Sequence, residues 1–281
     1  MITVEKIKEL KEIIHAARKS GKKVGFVPTM GYFHEGHLSL MRRAKGDNDL
    51  VVVSLFVNPM QFGPQEDYQR YPRDLERDRE MAEGTGADIL FVPETSEIYG
   101  PGFQTFVEVT GVSQGFCGSS RPGHFRGVAT VVIKLFNIVE PDCAYFGEKD
   151  AQQLRVIRQM VRDLNMNLQV IGCPIVREAD GLAMSSRNIY LNPEERRAAP
   201  VLYQSLFLAR DLIKQNMRET GQIREEMLRL IGREPLVVLD YLEFGDNESL
   251  KPVTTIQGEV LIALAVKIGK TRLIDNITIE V

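Results

Sequence analysis

Two histidines, His34 and His37, follow a short apolar run, Val24 to Val27, that is typical of a buried parallel strand. Pro28 is expected to end this strand because proline cannot donate to a ladder. Gly31 permits a tight bend, and the residues after His34 have helical spacing. A strand, a glycine turn and a helix N-terminus present backbone N–H groups to an anion. Histidines at i and i+3 share one face of the first helical turn, so the stretch predicts a phosphate pocket flanked by two imidazole rings.

A metal site is the alternative use of this histidine pair, because two histidines can supply half of a ligand set. A third ligand is needed, and the chain has only 4 histidines and no Cys-x-x-Cys pair. Phosphate chemistry fits better, since imidazole can donate hydrogen bonds to phosphoryl oxygens as charge develops on them. Gly36 leaves room for a ribose or a base against the backbone. Placed after a strand and a Thr-x-Gly turn, the pattern His-x-Gly-His is specific.

A second polar stretch, Ala-Met-Ser-Ser-Arg-Asn at 183–188, could contact a polyphosphate. Ser185 and Ser186 supply hydroxyl groups, and Arg187 supplies a guanidinium that suits bidentate contact. A polar loop between domains is the alternative, and it is less favoured once the His-x-Gly-His pattern is considered. Together the two stretches resemble the nucleotidyl-transferase superfamily that includes class I aminoacyl-tRNA synthetases. Those synthetases use two such elements to bind ATP and form acyl-adenylates.

Further polar side chains follow two other apolar runs. Lys149 could neutralise phosphate charge, Asp150 could accept from a ribose hydroxyl, and Gln153 would face the cleft one turn later. On its own that segment could equally be a helix cap with surface charges, and the other motifs favour the functional interpretation. Asn58 and Gln61 stand at the carboxyl end of a predicted strand, where open α/β sheets bind their ligands.

The elements that must position these residues alternate between strand and helix over the first 176 residues. Such alternation predicts an α/β fold with a doubly wound parallel sheet and right-handed crossovers. Thr3 is expected to cap the first helix and Gly21 to stop it, and the charged segment at 65–83 is expected to be a solvated helix. The expected strands are 24–27, 50–57, 88–92, 105–109 at an edge, 142–146 and 168–171, and the other expected helices are 3–20, the segment opening at 34, 128–139 and 151–164.

The pattern changes after about residue 176, where helices precede a cluster of strands. Asn192, Pro193 and two acids form a strong helix start. Helices followed by strands predict a second, smaller α+β domain. We expect one domain over residues 1–176 and a second over 177–281 that closes over the nucleotide site. The expected helices are 193–216 and 222–232, and the expected strands are 237–244, 259–266 and 272–279.

Composition excludes several classes of protein. The chain of 281 residues has 35 Lys and Arg against 38 Asp and Glu, so its net charge of −3 shows no basic excess for nucleic acid. Its 3 cysteines lie far apart, which argues against a disulfide framework or structural zinc and favours a reducing compartment. The charged N-terminus does not resemble a signal peptide, and no apolar run is long enough to span a bilayer. These features predict a cytoplasmic protein with neither nucleic-acid nor membrane partners.

Five blocks of sequence carry a closer resemblance: 28–37, 56–62, 121–128, 147–150 and 184–188. Together they closely resemble the pantothenate synthetase family, also called pantoate–β-alanine ligases. The resemblance implies a Rossmann-like N-terminal domain, a smaller C-terminal domain and a homodimer. It implies ATP-dependent condensation of (R)-pantoate with β-alanine to pantothenate, through a pantoyl adenylate, with AMP and pyrophosphate released and Mg²⁺ required.

The resemblance also implies site residues at matching positions. His37 would be the catalytic histidine. Apart from the resemblance, charge neutralisation alone suggests that a set of polar groups could stabilise the transition state and the departing pyrophosphate: His34, His37, Lys149, Ser185, Ser186, Arg187 and Mg²⁺. Gln61 would contact pantoate and β-alanine, and Gln153 would contact pantoate. Tyr32 and Phe33 depart from the family, which commonly has smaller or aliphatic residues there. ATP would be bound by Met30, Gly31, Tyr32, Phe33, His34, Glu35, Gly36, His37, Gly147, Glu148, Lys149, Asp150, Val176, Met184, Ser185, Ser186 and Arg187.

Alternatives stay open for several charged residues and for the function itself. Arg121, His124 and Arg126 could orient the carboxylate of β-alanine or merely order a loop. Asp74 and Asp78 could approach Mg²⁺ through water, but acids on a solvated face are the favoured interpretation, and no protein metal ligand is assigned. The rival functions are transfer of AMP or CMP to a phosphorylated alcohol, a tRNA synthetase, and a non-catalytic nucleotide-binding regulator.

Overall fold

The computed structural model describes residues 1–281 and divides them into two compact units. The chain enters unit 2 twice before its final stretch, and a single domain boundary after residue 176 stays a prediction. Unit 1 contains Met1–Val109, Arg121–Glu148 and Gln153–Pro174, and unit 2 contains Thr110–Ser120, Lys149–Gln152 and Ile175–Val281.

Unit 1 is built on a sheet of six parallel strands. Their order in the sheet reverses beside the second strand, so that strand and the fifth flank a topological switch point, where open α/β sheets bind ligands. This confirms the predicted doubly wound sheet. The strands are β1 (Ile2–Val4), β2 (Val24–Thr29), β3 (Leu50–Leu55), β4 (Ile89–Phe91), β5 (Cys143–Gly147) and β6 (Gln169–Cys173), in the order β1-β4-β3-β2-β5-β6.

Helices cover both faces of this sheet, which explains why its strands read as continuous apolar runs. Val51 and Val53 of β3 belong to one buried cluster with Met41, whereas Phe26 of β2 packs its ring against Phe136 on the other side. The first seven helices of the chain are α1 (Ile7–Lys19), α2 (Glu35–Asp47), α3 (Leu75–Gly84), α4 (Thr95–Ile98), α5 (Phe116–Ser120), α6 (His124–Val139) and α7 (Ala151–Asp163).

Several sequence-based assignments in unit 1 are wrong, two of them because a distant partner takes the backbone. Thr3 does not cap a helix, since it lies in the short strand β1 and pairs there with Leu90 of β4. Residues 105–109 form no strand, and the N–H of Val107 donates to the side chain of Thr130 in α6 at 3.0 Å instead. The helix expected over 65–83 begins only after Asp74, whose carboxylate accepts from the N–H of Arg77.

Pro28 does not end β2, which continues to Thr29. Asp142 donates its N–H to the carbonyl of Val24. The backbone nitrogen and carbonyl groups of alternate residues, which are Val24, Phe26 and Pro28, therefore point towards β5. The pairing of β2 with β5 ends at Phe26. Pro28 therefore stands beyond the last ladder bond on that side, and its missing N–H costs the sheet nothing.

Unit 2 contains an antiparallel sheet with helices packed against it, which confirms the predicted α+β architecture. The long helix expected at 193–216 is divided at Pro200, which has no N–H to donate to a continuous helix. Asn192 caps the first of the two helices, as predicted, by accepting from the N–H groups of Glu194 and Glu195. The elements are α8 (Pro193–Ala198), α9 (Val201–Lys214), α10 (Thr220–Ile231), β7 (Val237–Asp246), β8 (Glu259–Ile268) and β9 (Thr271–Glu280).

All ten helices are too short or too polar to traverse a lipid bilayer.

Candidate active site

The predicted histidine pair lies at the first turn of α2, with its rings 4.1 Å apart between centroids. His34 is the N-cap residue, and its Nδ1 accepts from the N–H of Gly36 at 3.1 Å. His37 completes a capping box, since its Nδ1 accepts from the N–H of His34 at 3.3 Å. Each Nδ1 therefore uses its lone pair on a backbone donor, so each neutral ring carries its hydrogen on Nε2. Both rings are thus in the tautomer that can donate from Nε2 to an anion.

The loop before the histidines has a strained backbone that a buried carboxylate holds in place. Gly31 and Tyr32 have φ angles of +84° and +51°, and a positive φ is unfavourable for a residue with a side chain. Asp78 of α3 accepts from the N–H of Tyr32 at 2.5 Å and from the N–H of Phe33 at 2.6 Å. The interpretation of Asp78 as a solvated acid is wrong, because its side chain is completely buried. Burial raises the pKa of this carboxyl above its ordinary value.

The two residues that depart from the family pattern pack closely, and the ring of Phe33 lies 5.6 Å from that of His37 between centroids. Phe33 is fully buried in the cluster beneath α2. The guanidinium of Arg77 lies 4.9 Å from the centre of the Tyr32 ring and donates to the carbonyl of Phe33 at 2.8 Å. A stacked cation and a hydrogen bond therefore hold this segment in addition to Asp78.

Gln61 lies near Met30 in a turn, Pro59–Gln61, that follows β3. Its Nε2 lies 3.2 Å from the sulfur of Met30, so the structure brings a predicted substrate residue and a predicted ATP residue together. Asn58 is buried and donates to Gln61 Oε1 at 3.1 Å and to the carbonyl of Gly127 at 3.2 Å. Tyr99 in turn donates its hydroxyl hydrogen to Asn58 Oδ1 at 2.8 Å. The Gln61 side chain is thus held by Asn58.

Arg121 and His124 also contact Gln61. Arg121 forms a bidentate ion pair with Glu66, with both N–O distances at 2.6 Å, and its third nitrogen lies 3.0 Å from His124 Nε2. Although burial opposes it, the hydrogen bonds from Arg121 hold the pKa of Glu66 below its ordinary value. Arg126 lies away from this group, with its guanidinium 4.1 Å from the centre of the Phe106 ring. These contacts favour a loop-ordering role for Arg121 over a carboxylate-binding one.

The residues from the end of β5 onwards divide between the units. Gly147, Glu148 and Gln153 belong to unit 1, and Lys149 and Asp150 belong to unit 2. Within unit 2, Asn276 of β9 donates to the carbonyl of Lys149 at 2.9 Å. The backbone of Lys149 is therefore fixed by the central part of β9.

The other predicted phosphate contacts form one braced loop in unit 2. The N–H of Met184 donates to the carbonyl of Val176 at 3.0 Å, and Ser185 Oγ accepts from the N–H of Arg187 at 3.2 Å. Arg177 donates to both carboxylate oxygens of Asp275, at 2.6 and 3.0 Å. Val176 and residues 184–187 are thus brought together as predicted, on a loop that a buried ion pair holds in place.

Sequence reasoning missed the supporting residues Asp78, Glu66, Asp275 and Asn276. Asp78 lies in a helix of mixed charges, where nothing distinguishes it from its exposed neighbours. Asp275 and Asn276 did carry a signal, because they form a polar pair between the apolar residues Ile274 and Ile277 of the strand Thr271–Glu280. Two consecutive buried polar residues in a strand need partners, and a search for those partners would have indicated the loop of unit 2.

The comparisons with known proteins agree over almost the whole chain. A family model described as pantoate-beta-alanine ligase matches residues 2–278. A pantothenate synthetase from Thermotoga neapolitana is 58% identical over 276 residues, which cover 98% of this chain and 99% of that protein. One from Caldicellulosiruptor bescii is 56% identical over 280 residues, which cover 100% of this chain and 99% of that protein.

Solved structures show the same likeness. A crystal structure of pantothenate synthetase from Thermus thermophilus has a TM-score of 0.93 and 48% identity, with 99% of each chain covered. A pantoate-beta-alanine ligase from Francisella tularensis, complexed with beta-gamma ATP and beta-alanine, has a TM-score of 0.83 and 37% identity, with 99% of this chain and 97% of that one covered. From its sequence and its fold alike, this chain belongs to the pantoate–β-alanine ligase family of enzymes.

Proposed function

We propose that this chain joins (R)-pantoate to β-alanine at the expense of ATP, through a pantoyl adenylate, and releases AMP and pyrophosphate. The observation that carries this proposal is the histidine pair at the N-terminus of α2, where both rings are in the Nε2–H tautomer. The Francisella relative, solved with beta-gamma ATP and beta-alanine, supports the choice of nucleotide and amine.

In the first step a carboxylate oxygen of pantoate attacks the α-phosphorus of ATP. The new O–P bond forms as the bond to the β,γ-phosphates breaks, and pyrophosphate leaves with that electron pair. Pantoate needs no general base, since a carboxyl pKa of about 4 leaves it ionised at neutral pH. His34 and His37 donate from Nε2 to the charge that develops on the phosphoryl oxygens, with Lys149 and Arg187 as further cationic groups.

In the second step the amine of β-alanine attacks the acyl carbon of the adenylate. The amide C–N bond forms, the acyl C–O bond breaks with its electron pair left on the phosphate oxygen of AMP, and the attacking nitrogen gives up one of its two hydrogens as a proton. An alkylammonium pKa of about 10 means that the amine must lose a proton before it attacks. Gln61 contacts both acids, Gln153 contacts pantoate, and the position of the Gln61 amide against Asn58 supports this assignment.

ATP is assigned to the residues that the family pattern predicts: Met30–His37, Gly147–Asp150, Val176 and Met184–Arg187. With this assignment, residues 1–176 would supply the histidines and the acid-binding glutamines, and residues 177–281 would supply the hydroxyl groups and Arg187. The helix N-terminus and the guanidinium are the kinds of groups that bind polyphosphate well.

Mg²⁺, a homodimer and a cytoplasmic location are proposals that rest on the family resemblance. No three His, Cys, Asp or Glu side chains of residues 1–281 converge to form a metal cage. Mg²⁺ is commonly bound through substrate phosphates with only one or two protein carboxylates, so we propose it as the counter-ion of ATP and derive no step through it.

Exchange of labelled pyrophosphate into ATP tests the proposal. Pantoate should support this exchange without β-alanine, because the first step then runs forwards and backwards through the adenylate. Exchange that strictly required β-alanine would exclude the two-step mechanism. Consumption of a phosphorylated alcohol with no response to pantoate would instead assign the chain to nucleotidyl transfer.

A further inference from the structure

The main chain of Gln61 is held by a chain of polar side chains separate from the contacts on its amide. His124 Nδ1 lies 2.8 Å from the Gln61 carbonyl oxygen, and an Arg121 nitrogen lies 3.3 Å from the same oxygen. A carbonyl only accepts hydrogen bonds, so His124 Nδ1 must carry a hydrogen. A guanidinium only donates, so His124 Nε2, which lies 3.0 Å from Arg121, must accept. The donors and acceptors therefore define one neutral tautomer of His124, with its hydrogen on Nδ1.

The far end of this chain is anchored by charge. Glu66 accepts from two nitrogens of Arg121 and also from the N–H of Gly63 at 3.1 Å. The His124 side chain is largely buried, and 14% of the Arg121 side chain is exposed. Bidentate pairs fix the direction of a guanidinium as well as its position. Arg121 is therefore oriented by Glu66, and it in turn orients the ring of His124.

We propose that Glu66, Arg121 and His124 form a positioning chain for the acid-binding Gln61, in which His124 acts as a fixed Nδ1–H donor and not as an acid or base. This inference rests on the proposed function, because it assumes that Gln61 contacts pantoate and β-alanine. It assigns His124 a place in substrate binding without contact with the substrate. Asn58 holds the Gln61 side chain and His124 holds its main chain, so both are needed for one defined position.

Two near-isosteric substitutions separate the two ring nitrogens of His124. His124→Asn places an amide nitrogen near the position of Nδ1, so the donor to the Gln61 carbonyl is kept. His124→Gln places its amide near Nε2, so a partner for Arg121 is kept and the donor to the Gln61 carbonyl is lost. His15→Gln, at an exposed position of α1, is the matched control for the substitution itself.

We expect His124→Gln to raise the KM for pantoate about 10- to 100-fold, as expected for a buried carbonyl that loses its donor. The KM for ATP should stay close to that of the wild type. His124→Asn and His15→Gln should bind pantoate almost normally. In a Gln61→Ala background, His124→Gln should add little further loss, since it acts through the side chain that has been removed. Equal effects of the two His124 variants, or additive effects with Gln61→Ala, would overturn the proposal.

A spectroscopic measurement tests the chain without reference to activity. With only 4 histidines, ¹⁵N-histidine labelling and comparison with His124→Asn assign the ring of His124. A protonated Nδ1 and an unprotonated Nε2 are expected near neutral pH, and the opposite tautomer would overturn the inference. Absence of pantoate-dependent exchange in the wild type would refute the proposed function alone, because the tautomer of His124 would still show whether the positioning chain is formed.

Discussion

Asp78 Oδ1 lies 2.6 Å from the backbone nitrogen of Phe33, although the two residues are 45 positions apart in the chain. The other carboxylate oxygen accepts from the N–H of Tyr32. One buried side chain of α3 therefore holds two consecutive N–H groups of the loop that leads to His34. Because the loop has a positive φ at Tyr32, this anchoring offsets a strained backbone exactly where the first histidine must be oriented.

Asp78→Asn should weaken both stability and nucleotide binding. An amide can accept from one of the two N–H groups, but its own NH₂ group then faces the other donor. We expect a loss of about 1–3 kcal/mol in the free energy of unfolding. A higher KM for ATP should accompany it, because the loop is no longer fixed. Chemical denaturation and steady-state kinetics measure these effects, with the exposed Asp211→Asn as control.

The same substitution has a pH signature. Burial raises the pKa of Asp78, so the folded state binds this proton more tightly than the unfolded chain does. That contribution to stability is present at low pH and is lost as the pH rises through the folded pKa. The free energy of unfolding of the wild type should therefore exceed that of Asp78→Asn by a larger amount at about pH 4 than at about pH 7. A stability difference that grows with pH would contradict this assignment.

Gly127→Ala tests the close approach of α6 to the turn that carries Gln61. A Cβ atom at Gly127 would lie 2.1 Å from the carbonyl oxygen of Met60 and 2.8 Å from the Cα of Gln61. Backbone must move to relieve such a contact, at a cost of about 1–3 kcal/mol. We expect a displaced Gln61 and a raised KM for pantoate, measured by pyrophosphate exchange.

Gly46→Ala provides the matched control for that variant. Gly46 lies within α2 and has nothing within 4 Å of an added Cβ. Alanine there should stabilise the helix by about 0.5–1 kcal/mol and leave pantoate binding unchanged. If Gly127→Ala behaved like Gly46→Ala, the steric account of the Gln61 turn would be wrong.

The features that could be predicted from the sequence are those that depend on neighbouring residues. The run Leu50–Leu55 was recognisable as a buried strand because every residue in it but one is apolar. The pattern from His34 to His37 was recognisable because the two histidines are three positions apart and so share one face of the first helical turn. The pair of histidines and the alternation of strands and helices could therefore be predicted from the sequence.

The supporting contacts could not be predicted from the sequence because their partners are distant in the chain. Asn276 donates to the carbonyl of Lys149 across 127 positions, and Asp78 reaches Tyr32 across 46. Helical spacing cannot distinguish a buried acid on a charged helix from an exposed one, so Asp78 was misassigned. Pro28 was misassigned for a related reason, since the cost of a proline depends on whether a neighbouring strand pairs at that point.

Arg177→Met should destabilise unit 2 strongly. Arg177 is the bidentate partner of Asp275, whose side chain is 1% exposed, and its loss would leave a buried carboxylate without its counter-charge. We expect about 3–5 kcal/mol of destabilisation by urea denaturation. The double variant Arg177→Met, Asp275→Leu should recover much of that loss, because no charge is then buried.

Arg229→Met is the control for the loss of an arginine ion pair. Arg229 pairs with Glu226 on the exposed surface of α10. Exposed pairs contribute about 0–1 kcal/mol, so this variant should be close to the wild type. Failure of the double variant to recover stability would indicate that Arg177 acts through its hydrogen bond to the carbonyl of Gly181 more than through Asp275.

Substitutions of His37 can separate its role in capping α2 from its role in catalysis. His37→Asn places an amide oxygen near Nδ1, so the N–H of His34 keeps its acceptor while the donor at Nε2 is lost. His37→Ala loses both the acceptor for the N–H of His34 and the donor at Nε2. Removal of one donor aimed at transition-state charge costs on the order of 10²–10³ in rate, so both variants should lose about that much kcat.

His37→Gln should retain more activity than either, because its amide can donate from near the position of Nε2. Circular dichroism should show an intact fold in all three variants, with His37→Ala and His37→Gln each losing up to about 1 kcal/mol from the missing cap contact. Near-normal turnover in His37→Asn would remove His37 from the catalytic role. It would leave the imidazole as a structural cap, with His34 as the remaining donor to the phosphoryl oxygens.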